Sequence, residues 1–189
     1  MGNKVIDNLT LKGDLRLRYE RRDRNRPAGE EEDDARDRFR TRFRLGGIWQ
    51  NDAENWEAGA GLATGSDGPT STNATWSKNK HFETGDIRLD YAYAKHKFND
   101  SFRITLGQHK NPYQTTWALW DGDVRPAGLT AQYEKGGLLL TAGGYDIYQA
   151  GDDVSMMFSG KLGYGITKNF SVGATSRVPG SEGRALWRD

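Results

Sequence analysis

Near its start the chain twice places arginine at every second position, in Leu15-Arg16-Leu17-Arg18-Tyr19 and in Arg38-Phe39-Arg40-Thr41-Arg42-Phe43-Arg44-Leu45. Successive side chains of a β-strand point to opposite faces, so each run makes one apolar face and one column of guanidinium groups. Such a column draws anions, and with acids opposite it sets a transverse field. Arg16, Arg18, Arg38, Arg40, Arg42 and Arg44 would then line one wall of a water-filled lumen, with Arg88 and Arg103 on later strands adding to it. A solvated sheet face, its charges paired with Asp14, Glu20 and neighbouring carboxylates, would carry the same residues. Strict alternation with Phe and Leu favours the lumen wall, because a barrel with lipid outside and water inside requires that pattern.

A second group lies in one long connection, Lys110-Asn111-Pro112-Tyr113-Gln114-Thr115-Thr116-Trp117-Ala118-Leu119-Trp120-Asp121-Gly122-Asp123. Tyr113, Trp117, Leu119 and Trp120 need burial, which a loop standing free in water does not give them. Folded inward over 110–126, the segment would pack its rings on the wall and turn Asp121 and Asp123 toward the arginines as a charged eyelet. An external loop packed on its neighbours is the competing arrangement.

Other motifs are weak. Gly59-Ala60-Gly61-Leu62-Ala63-Thr64-Gly65 lacks the spacing and the following helix of a nucleotide-binding loop. His81, His96 and His109 show no metal-ligand spacing and read as solvated strand or loop residues. Asp121-Gly122-Asp123 lacks further oxygen ligands in sequence for calcium. No serine stands marked beside a base, so no catalytic residue and no cofactor is assigned.

The elements that must position these residues are strands. The chain has 189 residues, 35% hydrophobic and 28% charged, with a mean hydropathy of −0.85. That is a lean core for a soluble domain, yet 6 Trp, 8 Tyr and 7 Phe argue against disorder. A wet-lumen barrel, in which every second residue is apolar, fits both facts. A net charge of +1 gives no reason to expect nucleic acid as a partner. With no cysteine, disulfides are excluded. No stretch has the roughly 18 apolar residues of a membrane helix, so any crossing would be by strands. Met1-Gly2-Asn3-Lys4 lacks the apolar region of a secretory signal, and the N-terminus is expected to be mature, engineered or truncated.

Nine period-2 segments are predicted, at about 9–21, 37–50, 55–64, 86–98, 101–109, 127–135, 137–148, 153–165 and 168–178. In the fourth, Ile87, Leu89, Tyr91 and Tyr93 are expected on the outer face, against Arg88, Asp90, Ala92 and Ala94. The connections alternate in length. Asp23–Asp37, with its acidic run Glu30-Glu31-Glu32-Asp33-Asp34, is long, as are Gly65–Gly85 and Lys110–Pro126, while Gln149–Asp152 is moderate. Those at 51–54, 99–100, 135–136 and 167–169 are tight. Short turns on one rim and long loops on the other define an up-and-down barrel; Greek-key sandwiches do not sort their loops this way.

Leu-Lys-Gly-Asp-Leu-Arg-Leu-Arg-Tyr-Glu at 11–20, Arg-Phe-Arg-Thr-Arg-Phe-Arg-Leu-Gly at 38–46, Leu-Asp-Tyr-Ala-Tyr-Ala at 89–94 and Leu-Gly-Gln-His-Lys-Asn-Pro-Tyr at 106–113 carry a further signal. Over roughly residues 9–178 the chain resembles the putative porin family of Gram-negative outer membranes. It is similar more broadly to the general porins, whose third external loop, after strand five, folds inward as a constriction. The segment at 110–126 falls at that place in the strand order. The resemblance implies a water-filled channel for small hydrophilic solutes, with about 16 strands, usually trimeric.

The expected fold is therefore all-β: an up-and-down antiparallel transmembrane β-barrel of about nine strands over 1–189, incomplete, the N-terminal half of a porin with an irregular tail at 179–189. The expected function is passive diffusion of small polar solutes across a bacterial outer membrane, biased toward anions, with the lipid bilayer as partner and no enzymatic activity. The alternative is a soluble or surface β-barrel binding module without channel activity, holding a ligand against Trp49, Trp56 and Trp76. An outer-membrane enzyme is the third reading.

Overall fold

A computed structural model describes residues 8–22, 36–65, 68–78, 81–113, 120–150, 153–167 and 170–179. The acidic run at 30–34, Trp117 and the tail beyond residue 179 lie outside the described residues. Ten strands form one antiparallel sheet. They are β1 (Leu9–Arg22), β2 (Arg36–Asn51), β3 (Trp56–Thr64), β4 (Ala74–Thr75) and β5 (Ile87–Lys97), then β6 (Phe102–Gln108), β7 (Ala127–Lys135), β8 (Leu138–Ala150), β9 (Asp153–Thr167) and β10 (Phe170–Pro179). Each long strand pairs with its neighbours in the sequence, as in an up-and-down meander. The sheet does not close: β1 and β10 are its edges.

The alternation read from the sequence sets the two faces. Leu11, Leu15 and Leu17 on β1 are about two-thirds exposed, at 67%, 66% and 65%. Phe43, Leu45, Leu106, Leu129, Phe158, Leu162 and Val172 continue the exposed apolar face across the sheet. The polar face is concave. Lys12 on β1 and Gln132 on β7 border the same cavity of about 430 Å³. Their strands are five places apart, about 24 Å in a flat sheet. Only a sheet curled around its polar side brings them together.

Three expectations change. The connection at 65–85 is not simply a loop, because Ala74–Thr75 pairs with β2 at Arg40 and Thr41. β3 covers β2 only from Arg44 to Asn51, so the rest of that edge of β2 would lack a partner, and the connection folds back to supply one. The β8–β9 connection is shorter than expected. Past an irregularity between Asp146 and Tyr148, residues Tyr148, Gln149 and Ala150 pair with Ser155, Val154 and Asp153 and lengthen both strands.

The third change decides the site. Gly61 pairs with Tyr91 but Leu62 with Leu89, so Asp90 is an extra residue in β5. A bulge of one residue reverses which face later side chains take. Ile87 and Leu89 stay outside, 60% and 52% exposed. Tyr91, Tyr93 and Lys95 turn to the polar face, where Tyr93 Oη donates to Glu57 Oε1 at 2.8 Å. His96 turns outward and packs against Trp56, their rings tilted by 38° and their centroids 4.5 Å apart.

Candidate functional site

β1 and β2 bring the arginines together in register. Arg16 lies opposite Arg42, Arg18 opposite Arg40, Asp14 opposite Arg44 and Glu20 opposite Arg38. Like charges directly across a strand pair repel, and the two acids at the ends of the column hold it together. Asp14 accepts from Arg44 Nε at 2.8 Å and Nη2 at 2.9 Å, and from Arg42. Glu20 accepts from Arg38 Nε at 2.8 Å and also pairs with Arg18 and Arg40. Six guanidinium groups against two carboxylates leave an excess of four positive charges on this wall.

The connection at 65–85 braces the wall with neutral groups. Arg16 Nη2 donates to Asn73 Oδ1 at 2.6 Å. Arg40 Nη2 donates to Ser71 Oγ at 3.3 Å and to the Asn73 carbonyl at 3.2 Å. Arg88 joins the same group, donating to the carbonyls of Gly68 and Ser71 at 2.7 and 3.0 Å. Carbonyl and amide oxygens orient guanidinium groups without cancelling their charge. Arg103 lies elsewhere: it pairs across from Lys97, near the tight turn at Asn99–Asp100, and donates to Gln132 Oε1 at 3.1 Å.

The described ends of the 110–126 segment rest on the polar face. Tyr113 is buried and donates from Oη to the Ser159 carbonyl on β9 at 3.0 Å. Trp120 Nε1 donates to the Val124 carbonyl at 3.0 Å, and the Arg177 guanidinium of β10 lies 5.1 Å from the Trp120 ring centroid. Arg125 Nη2 donates to Asp90 Oδ2 at 2.8 Å, with both side chains at least nine-tenths buried. Asp123 is within electrostatic reach of Arg44. Asp121 is exposed and turns its carboxylate onto its own loop, accepting from the Asp123 N–H at 2.8 Å. Asp90, supplied by the bulge, is the acid that ties this segment to the wall.

A buried relay fixes the start of the segment. His109 Nδ1 lies 2.7 Å from the Lys110 carbonyl, and Nε2 lies 3.0 Å from Thr130 Oγ1. Thr130 Oγ1 is 2.6 Å from Tyr145 Oη, which is 3.2 Å from Tyr113 Oη. Both ends of the chain are carbonyl acceptors, so with neutral His109 it has four protons for five contacts. Burial nevertheless pushes the His109 imidazole below its ordinary pKa, because the charged form loses more solvation than the neutral one. Burial and the hydrogen bond with Tyr145 push the Tyr113 phenol upward. His109 is thus a buried, packed residue and not the solvated side chain expected, while His96 is a half-buried strand residue tilted against Trp56.

Trp49, Trp56 and Trp76 do not converge. Trp76 stacks on Phe39, centroids 5.6 Å apart, while Trp56 lies across from Asn51 at the other end of β2. Twelve residues of strand separate those ends, about 40 Å.

Residues 22–161 match the family described as Putative porin. The chain belongs to that family. No curated protein matches it. For a porin-family chain, an all-β meander with an apolar outer face and a charged concave face is the expected architecture. In this porin-family chain Tyr91, Tyr93, Lys95, Arg125 and Arg177 also belong to the site, although alternation alone did not assign them to it. Gly59 and Gly61 lie across from Tyr93 and Tyr91, and Gly46 lies one strand further on, across from Gly61; these three glycines make room for the large rings over the polar face. A β-carbon at Gly59 would stand 2.6 Å from Tyr93 Cε1, and one at Gly61 2.7 Å from Tyr91 Cζ.

Proposed function

We propose that the chain forms one wall of a water-filled pore in the outer membrane of a Gram-negative cell. Small hydrophilic solutes diffuse through it passively, anions ahead of cations. The observation that carries this reading is the excess of four positive charges on a concave face whose reverse is exposed and apolar. In water such a reverse face would drive association; against lipid it is satisfied.

The outer aromatics support the same reading. Phe39 with Trp76 and Tyr19 mark one end of β2, and Trp49 with Trp56 the other. Ten residues from Phe39 to Trp49, at the usual strand tilt, span about 26 Å along a barrel axis, close to the apolar band of about 25 Å in outer-membrane barrels. The unpaired edges at β1 and β10 cannot meet hydrocarbon, so further strands complete the barrel, and a homotrimer is the assembly the general porins suggest. In this reading the 110–126 segment narrows the lumen, and the site performs no bond-making chemistry.

The test is electrical. Reconstituted in a planar bilayer with potassium chloride, the folded protein gives discrete conductance steps. A correctly folded, membrane-inserted protein without conductance contradicts the proposal.

A further inference from the structure

We propose that the buried relay from His109 to Ser159 is a proton-linked latch on the neck of the 110–126 segment. In acid it ties that neck to the sheet by one more hydrogen bond than at neutral pH. The inference rests on the channel reading only for what the latch does to the lumen.

With His109 neutral, the contacts admit one ordering of protons. Both ends are carbonyls, which only accept: Lys110 at 2.7 Å from His109 Nδ1 and Ser159 at 3.0 Å from Tyr113 Oη. Nδ1 must carry the imidazole proton, because a bare Nδ1 would set two lone pairs 2.7 Å apart. Nε2 then needs a donor, and the Thr130 hydroxyl at 3.0 Å supplies it. Thr130 Oγ1 and Tyr145 Oη lie 2.6 Å apart, too close to go without a proton, so Tyr145 donates to Thr130. Tyr113 donates to the Ser159 carbonyl, and no proton is left for the 3.2 Å contact between Tyr145 and Tyr113.

One proton taken from solvent at Nε2 turns the row round. Nε2–H donates to Thr130, Thr130 to Tyr145 and Tyr145 to Tyr113, while Tyr113 keeps the Ser159 carbonyl. Five contacts then hold five protons; the only new covalent bond is the N–H, and the hydroxyls rotate. The hydrogen bond gained is the one that ties the neck, since Tyr113 belongs to the segment and Tyr145 to β8.

The surroundings confine the latch to acid. His109 borders the recess of about 430 Å³ together with Lys12 of β1, Tyr91, Tyr93 and Lys95 of β5, and Lys110 and Arg125 of its own connection. Four cations and no carboxylate line that recess, and Asp90 is tied to Arg125. The Tyr145 ring meets the imidazole edge-on, centroids 6.2 Å apart. Burial and like charge both oppose an imidazolium here, so it forms only below the ordinary histidine range.

The test follows the full chain, folded in detergent micelles with carbon-labelled tyrosine and histidine, by NMR as the pH is lowered. The Tyr113 and Tyr145 phenol resonances should shift with the same midpoint as the His109 imidazole. Tyr113→Phe loses the bond to Ser159 from both states, but removes the acceptor for Tyr145 from the imidazolium state alone. Proton binding and that bond are reciprocally coupled, so the His109 midpoint should move to lower pH in Tyr113→Phe. Tyr164→Phe, on the exposed outer face, should leave it in place. An unmoved or raised midpoint in Tyr113→Phe overturns the latch, as do tyrosine resonances that ignore the His109 titration. If Tyr113→Phe does not fold, Thr130 gives the same reading. Thr130→Val should lower the His109 midpoint and Thr130→Ser, which keeps the hydroxyl, should retain it; equal midpoints in the two overturn the latch. Conductance separates the two claims. A conducting protein whose tyrosines ignore His109 overturns the latch alone, whereas coupled titration without conductance supports the latch and contradicts the pore.

Discussion

The Tyr91 ring occupies the space that a side chain at Gly61 would need: a β-carbon there would stand 2.7 Å from Tyr91 Cζ. The contact exists because the extra residue Asp90 turns Tyr91 to the polar face. Gly61→Ala should therefore force the ring aside and destabilise the fold by about 1–3 kcal/mol, the usual cost of overpacking. Combining it with Tyr91→Ala should recover much of that loss. Urea unfolding of the single and double variants measures both; equal losses with and without Tyr91 would remove the contact from the account.

Asp90 and Arg125 form a pair buried between β5 and the segment leading into β7. Removing one partner leaves the other charge buried and alone, at a cost of about 3–5 kcal/mol in a dry interior and toward the lower figure beside water. Asp90→Asn and Arg125→Gln should each lower the unfolding midpoint, and the double variant should lose less than the sum of the two. Additive losses would mean that the two side chains are not coupled.

His109 makes stability depend on pH. Burial lowers its folded pKa below the unfolded value of 6.5, outweighing the Lys110 carbonyl that favours the charged form; Lys95, Lys12, Lys110 and Arg125 border the same recess, and its remaining contacts are the hydroxyls of Thr130 and, beyond it, Tyr145 and Tyr113. Between the two pKa values the unfolded chain binds more protons, so stability rises with pH. Its contribution is present above pH 6.5 and is lost as pH falls below it. Unfolding midpoints measured from pH 8 to pH 5 should drop for the native protein, and less steeply for His109→Gln. Equal slopes would take His109 out of the pH response.

Asn73 holds Arg16 and Arg40 through neutral oxygens. Asn73→Asp keeps the size of the side chain but places a carboxylate among the guanidinium groups. Anion preference should fall while the protein remains folded, read as a smaller reversal potential across a salt gradient. An unchanged potential with intact folding would place Asn73 away from the ion path.

How far the sequence revealed this arrangement depends on the kind of signal each part carries. β1, β2 and β6 could be read closely because most of their apolar and polar residues alternate, while the alternation in β7 is weaker. The pairing of Asp14 and Glu20 with the arginines, expected for the solvated sheet face that stood as the alternative to a lumen wall, is present in the fold, since all lie on one parity of two adjacent strands. Parity is also what misled at Tyr91 and Tyr93. One inserted residue reverses every later side chain in a strand, and nothing in Leu89-Asp90-Tyr91 marks the insertion. The bracing by Ser71 and Asn73 was hidden because short polar residues in a connection are consistent with any loop. The relay through His109 draws Tyr113, Thr130, Tyr145 and Ser159 from four separate elements, and only the sheet brings them together.

The central claim is that the arginine wall faces the ion path and favours anions. In a planar bilayer under a potassium chloride gradient, the native protein should give a reversal potential of anion-selective sign. Arg40→Glu with Arg42→Glu changes the wall by four units of charge and should move that potential toward cations. A double variant that conducts with an unchanged reversal potential would contradict the account.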